Sequence, residues 1–230
     1  MLRHADNRLP FEDPLIWISR GLTILYSAWL GLTYPFASRG RNLSIHYTCR
    51  LNRPVAPAIS LGNSIVLGKD SWLNVSGPAV AGVEPAIVID DGTFIGARCQ
   101  ISAANRIHIE RDVLIGASVL IMDHNHAYED TTMPIWRQGI TGGGKIRIGQ
   151  GSWIGQGAFI LCPKGELTIG RNCVIAANSM VIESIPDYSV VFGTPATVIR
   201  QYDPEMRAWR IGPNENRAKR NRESAVHSIP

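Results

Sequence analysis

Residues 145–181 read KIRIGQGSWIGQGAFILCPKGELTIGRNCVIAANSMV, and their spacing decides the fold. Ile148, Ile154 and Ile160 stand six residues apart, and Ile169, Ile175 and Val181 repeat the interval. The interval also runs through Ile109, Ile115 and Ile121, through Ile89, Ile95, Ile101 and Ile107, and from Ile59 to Ile65. The residue after the anchor is often small: Gly96, Gly116, Gly149, Gly155, Gly170 or Ala176. A helix repeats every 3.6 residues and a lone strand every two, so neither produces this pattern. Short strands joined by tight turns do. Three hexads close a triangular coil of about eighteen residues, and coils stack in parallel register at the ~4.8 Å strand spacing. One coil cannot bury its own apolar face, so stacked coils share one aliphatic column. The small residue belongs where the chain turns and a Cβ would crowd.

Composition agrees. The chain has 230 residues, 45% hydrophobic and 18% charged, enough for one sizeable core and too apolar for disorder over most of its length. Aromatic residues make up only 7% and glycines number 22, which suits an aliphatic core with many turns. The formal charge is +4, and Arg217, Lys219, Arg220 and Arg222 carry part of it. No basic stripe interleaves with aromatics, so nucleic acid is not an expected partner. Acidic small molecules or an anionic membrane face remain. Cys49, Cys99, Cys162 and Cys173 include no CxxC pair, which argues against zinc ribbons and dithiol redox sites. Buried free thiols in a reducing compartment are expected. No A-x-A-like cleavage site follows an early hydrophobic core, so a cytoplasmic location is expected, either free or peripheral at the inner face of the membrane.

Three regions follow. Residues 1–41 form an N-terminal helical segment, 42–200 the coil domain, and 201–230 a short helix near Pro204–Arg210 followed by a flexible basic tail. The apolar run Leu15–Phe36 is diluted by Gly21, Thr23, Ser27, Gly31, Thr33 and Pro35, and contains Arg20. It reads as a helix docked on the protein or lying at a membrane surface in preference to one that spans.

Two interruptions break the repeat. Residues 76–85, SGPAVAGVEP, read as an inserted loop or strained corner. The longer break, 122–145, reads MDHNHAYEDTTMPIWRQGITGGGK. Long excursions from a compact domain are usually functional. This one opens on Asp123-His124-Asn125-His126. Histidine suits general-base chemistry because it titrates near neutrality. His-x-His also places two imidazoles on one face of a strand, which suits zinc. A third ligand is hard to find: His108 sits one coil earlier, inside IHIERD, while His46 and His4 precede the coil.

The hexads IGARCQ, IGASVL, IGQGSW, IGQGAF, IGRNCV and IAANSM resemble the hexapeptide repeat of left-handed β-helix acyltransferases, over roughly residues 42–200. The ending IPDYSVVFGTPATVIR is similar to sugar O-acetyltransferases of the galactoside, maltose and exopolysaccharide type. Parallel crossovers are generally right-handed, so the left hand comes from the resemblance alone. The resemblance implies an all-β, left-handed parallel β-helix that forms a homotrimer, with the 122–145 loop helping to build a site between subunits. It implies acetyl-CoA as acyl donor and a sugar or glycan acceptor. His124, the first histidine after the coil, takes the role of base. Asp123, His126 and Trp136 orient or bind the acceptor. The pantetheine arm would lie along Trp153, Gly155, Gln156 and Gly157 and along Ala177, with an amide near Gln156 or Gly157 stabilising the oxyanion. Arg200 would meet CoA phosphates. Where galactoside acetyltransferases have an asparagine-rich acceptor strand, this chain has Gly96-Ala97-Arg98-Cys99, so a different acceptor is expected. Acetylation of an amino sugar nitrogen, an antibiotic or another small hydroxyl compound is the alternative. A γ-class carbonic-anhydrase-like zinc enzyme and a non-catalytic scaffold stand further off. No resident metal is assigned.

Overall fold

The computed structural model describes residues 14–76 and 84–211. The chain winds as a left-handed parallel β-helix of six three-stranded coils. Face A stacks Ser38–Arg39, Ile59–Leu61, Ile87–Ile89, Arg106–Ile109, Lys145–Ile148 and Glu166–Ile169. Face B stacks Ser44–Ile45, Val66–Leu67, Phe94–Ile95, Leu114–Ile115, Trp153–Ile154 and Val174–Ile175, and continues into Ser189–Gly193. Face C stacks Arg50–Leu51, Trp72–Val75, Gln100–Ala103, Leu120–Met122, Phe159–Leu161 and Met180–Val181.

The register keeps like on like. On face C, Leu51 lies over Leu73, then Ile101, Ile121, Ile160 and Val181. Each isoleucine anchor identified by the six-residue spacing is no more than 1% exposed. Burying such a side chain contributes about 2 kcal/mol, so the shared column is the main stabilising element. The corners explain the small residues. A Cβ on Gly116 would lie 2.7 Å from the Gln156 nitrogen, and one on Gly155 would lie 2.6 Å from the Ala177 nitrogen. Each glycine therefore carries the backbone of the next coil. All four cysteines are buried and unbridged.

A 20-residue helix, Pro14–Thr33, closes the first coil. Leu30 joins the core. The first coil's outer edge would otherwise leave polar backbone groups unpaired. The Ile45 amide donates to Ser27 Oγ at 2.9 Å, and the Tyr26 and Tyr34 hydroxyls donate to the Cys49 and Leu51 carbonyls. No helix among the described residues is long and apolar enough to cross a membrane.

Two expectations change. The coil begins earlier than residue 42, with its first strand at Ser38–Arg39. The helix expected near Pro204–Arg210 is instead an antiparallel hairpin of Ala196–Asp203 and Ala208–Ile211. Asp203 does cap: its Oδ1 accepts the Glu205 and Met206 amides at 2.9 and 3.0 Å. That cap closes a single turn, which Arg207 ends at φ +48, and the returning strand pairs with the edge left by Ala196–Asp203. The expected basic tail and most of the expected 76–85 loop lie outside the described residues.

Candidate active site

The corner between faces C and A breaks the packing rule of the column. Val75 and Ala103 turn inward at this corner in the second and third coils, and Cys162 does so in the fifth. In the fourth coil the equivalent residue is Asp123, which is fully buried. A buried carboxylate is costly unless it is well paired. Asp123 is: Oδ1 accepts the Ala104 amide at 2.7 Å and Oδ2 the Asn105 amide at 2.9 Å. Oδ1 also lies 2.9 Å from His124 Nδ1. With a carboxylate there, the imidazole proton belongs on Nδ1, so Nε2 presents its lone pair.

His124 is 8% exposed, and its Nε2 faces Ser76 Oγ at 3.4 Å. The Asn74 amide donates at 3.0 Å to both Ser76 Oγ and Ser102 Oγ. A polar strip thus runs up the outside of face C across three coils and ends on the imidazole. Asn74, Ser76 and Ser102 were passed over by the hexad reading because they lie between its anchors. The available signal was polar residues at matching outward positions, since Asn74 pairs in register with Ser102.

The 122–145 excursion is built on a ribbon. His126 bridges Ile140 in antiparallel fashion, the Thr141 amide donates to the Asn125 carbonyl, and the Gly144 amide donates to the Asp123 carbonyl. Gln138 ties the tip back, accepting from the Asp130 amide and donating to the Asp130 and Met133 carbonyls. His126 is exposed, with Nδ1 3.3 Å from the Gly139 carbonyl. Trp136 sits in a short 3-10 turn, 73% exposed, with the Arg137 guanidinium 4.9 Å from its ring centre.

The remaining residues expected at the site lie elsewhere on the same chain. Trp153 is on face B and half exposed, while Gly155, Gln156, Gly157 and Ala177 form the corner between faces B and C. The width of face C separates that corner from Asp123. The Gly157 amide donates to the Ala117 carbonyl of the preceding coil at 2.9 Å. Arg200 is exposed on the final hairpin, opposite Val190 and Ile211. The Gly96–Cys99 stretch also lies on the B–C corner, away from His124. Of the other histidines, His108 pairs with Asp90 on face A at 2.9 Å, and His46 bonds Thr48 and Ser19 under the helix.

Comparison with known proteins adds the following. No family model matches the chain. It is 39% identical over 161 residues to "Probable acetyltransferase Rv3034c" of Mycobacterium tuberculosis, covering 70% of this chain and 48% of that one. The chain therefore spans about half the length of that relative. It is 30% identical over 158 residues to "Putative lipopolysaccharide biosynthesis O-acetyl transferase WbbJ" of Escherichia coli, covering 66% of this chain and 76% of that one. Among solved structures, it is similar to a maltose O-acetyltransferase from Clostridium difficile, with a TM-score of 0.51 and 23% identity over 83% of this chain and 90% of that one. It is also similar to AntD, an N-acyltransferase from Bacillus cereus solved with dTDP and 3-hydroxybutyryl-CoA. There the TM-score is 0.59, with 18% identity over 88% of this chain and 96% of that one. At these identities the two solved structures speak to the fold alone.

Proposed function

The chain belongs to the hexapeptide-repeat acetyltransferase family, and from that premise we propose that it moves an acetyl group from acetyl-CoA to a hydroxyl of a sugar or glycan precursor. The observation that carries this reading is the buried Asp123–His124 pair, at the one corner among the described residues where the aliphatic column is interrupted by an acid. Asp123 fixes the imidazole, and His124 Nε2 removes the acceptor's hydroxyl proton. The freed oxygen attacks the thioester carbonyl, a C–O bond forms, the C–S bond breaks, and the departing CoA thiolate takes up the proton. Ser76, beside Nε2 and itself held by the Asn74 side-chain amide, receives the incoming hydroxyl. The strip they form is made of small polar groups without charge, which suits a neutral sugar.

A homotrimer belongs to the same reading. In one chain the B–C corner that would hold the donor stands across face C from His124, so a neighbouring copy must supply one half of the site. The excursion supports this: Tyr128, Met133, Ile135 and Trp136 are all exposed on it, an apolar surface suited to a second copy.

The test measures free-thiol release with acetyl-CoA and a sugar panel. His124→Ala should lose about 10²–10⁴-fold in rate, as loss of a general base does, while acetyl-CoA still binds. One observation favours a second assignment within the same reaction: His126 is the more accessible imidazole, and its Nδ1 is held by a backbone carbonyl. If His126→Ala is the inactive variant and His124→Ala the mild one, His126 is the base. If both keep the wild-type rate, the general-base reading fails.

A further inference from the structure

We infer that the outer face of the N-terminal helix is a docking surface for an anionic phospholipid bilayer, on which the protein lies without spanning it. The helix buries one side against the first coil through Ser27 and Leu30. At 3.6 residues per turn, Ile18, Leu22, Leu25, Trp29 and Leu32 fall in one stripe on the opposite side. They are 43–87% exposed. Trp17 and Ile24 widen the stripe, at 67% and 69% exposed. An apolar stripe of this length needs cover, and the protein covers only the other side of the helix.

Charge selects the occupant. Between Asp13 and Asp70 the sequence holds no acidic residue, while Arg39, Arg41, Arg50 and Arg53 lie on the first coil and are all exposed. Arg39 sits directly against the helix, for a Cβ on Gly31 would fall 2.2 Å from its guanidinium carbon. A second copy of this cap would bring like charges together around the apolar contact. An anionic bilayer instead offers hydrocarbon to the stripe and phosphates to the arginines, and the exposed tryptophans suit the headgroup boundary. The helix closes the first coil and Asp123 turns in the fourth, so the imidazole would stand about 15 Å beyond the first coil at one strand spacing per coil, with the ~10 Å thickness of the helix between that coil and the bilayer. The inference rests on the helix and its charges and holds whatever the acceptor is.

The experiment is co-sedimentation of the full chain with vesicles of phosphatidylcholine alone and of phosphatidylcholine with phosphatidylglycerol. The expected result is binding to the anionic vesicles at about 0.1 M salt, weak binding to the neutral ones, and release as salt rises toward ~1 M. The doubly substituted Leu25→Glu/Leu32→Glu protein changes two side chains that are 69% and 87% exposed and should keep the wild-type melting temperature and oligomeric mass, while vesicle binding drops roughly tenfold or more. Arg41→Glu/Arg53→Glu should weaken binding to anionic vesicles and leave the neutral-vesicle background unchanged. Failure of the wild type to bind anionic vesicles overturns the inference. So does a Leu25→Glu/Leu32→Glu protein that still binds them, or one whose oligomer dissociates, which would assign the face to a second copy.

Discussion

The face C strand that ends at Ala103 and the one that leads into Asp123 are neighbours, paired in register, yet they obey different rules. At the first, an alanine continues the aliphatic column and the chain turns straight into the next coil. At the second, an aspartate takes the same inward place, and more than twenty residues intervene before Lys145 resumes the repeat. In the coil, geometry dictates the residue, so Ile101 or Ile121 reports only packing. At the corner nothing in the stacking calls for an acid. Its two amide partners and its imidazole account for it, and an acid placed there points to chemistry.

The largest expected effect comes from making the two corners alike. Asp123→Val would install the residue type found at position 75. It would remove the acceptor of the Ala104 and Asn105 amides and release His124 Nδ1. We expect transfer to fall by about 10²–10⁴-fold, as when a general base loses its orientation. Stability should fall by roughly 1–3 kcal/mol for each stranded amide, offset in part by the new apolar contact. Steady-state kinetics and thermal melting measure the two effects separately. A variant that keeps its rate within about threefold would show that the acid serves the fold alone.

The converse change belongs in the coil. Ile160 is fully buried between Ile121 and Val181. Ile160→Ala should cost about 2–5 kcal/mol through lost transfer energy and the cavity left behind. Below its lowered melting temperature it should retain near-normal turnover. Denaturant titration gives the first number and an assay at low temperature the second. A large loss of turnover in the folded variant would mean that the column and the corner are not separable.

Legibility in the sequence follows the same division. The isoleucine anchors and the glycines behind them were legible because the coil admits few alternatives at those positions. The first coils were read less well because their anchors change type: Ile45 and Leu51, then Leu61, Leu67 and Leu73, keep the six-residue interval without repeating isoleucine. Asp203-Pro204-Glu205 carries the signature of a helix start, and its capping bonds do form, but the unpaired edge of the preceding strand captures the segment as a hairpin. At the site, Asp123 and His124 stood out because they broke the repeat. Asn74, Ser76 and Ser102 did not, because an outward polar residue on a strand is ordinary until the register shows where it lies. The placement of Trp153 on face B and of Gln156 and Gly157 on another corner could not be read from spacing in one chain, since it depends on which corner each hexad turns.

The alkaline limb of stability tests the coil's N-terminal closure. Burial lifts the Cys49 thiol to about 11 from an ordinary 9.0, and burial also raises Tyr26, whose hydroxyl donates to the Cys49 carbonyl. Below pH 9 both folded and unfolded states keep the thiol proton, and the group contributes nothing to pH dependence. Between about 9 and 11 the unfolded chain binds fewer protons than the folded one, so stability falls as pH rises through that window. Melting temperatures should be flat to about pH 8.5 and decline above 9. Cys49→Ala should start lower but decline less steeply. An equal slope in both proteins would place the alkaline sensitivity elsewhere.

The smallest effect is expected on the outside of face A, where the repeat imposes no residue type. Lys145 Nζ lies 3.2 Å from Glu166 Oε1, with the two side chains 55% and 72% exposed. Both flank the column without entering it, since Ile146 and Leu167 beside them point inward. Water screens such a pair, and ordering two long side chains offsets most of the attraction, so its contribution should lie between about 0.2 and 1 kcal/mol. Lys145→Ala, Glu166→Ala and the double variant form a cycle that isolates the pair from the two single losses. Transfer rates should stay at the wild-type level in all three, even though Lys145 ends the excursion that begins at Asp123. A coupling energy well above 1 kcal/mol, or a drop in rate with Lys145→Ala, would mean that the return strand helps hold the Asp123 corner, and the contrast between dictated column and free exterior would no longer hold at that point of the chain.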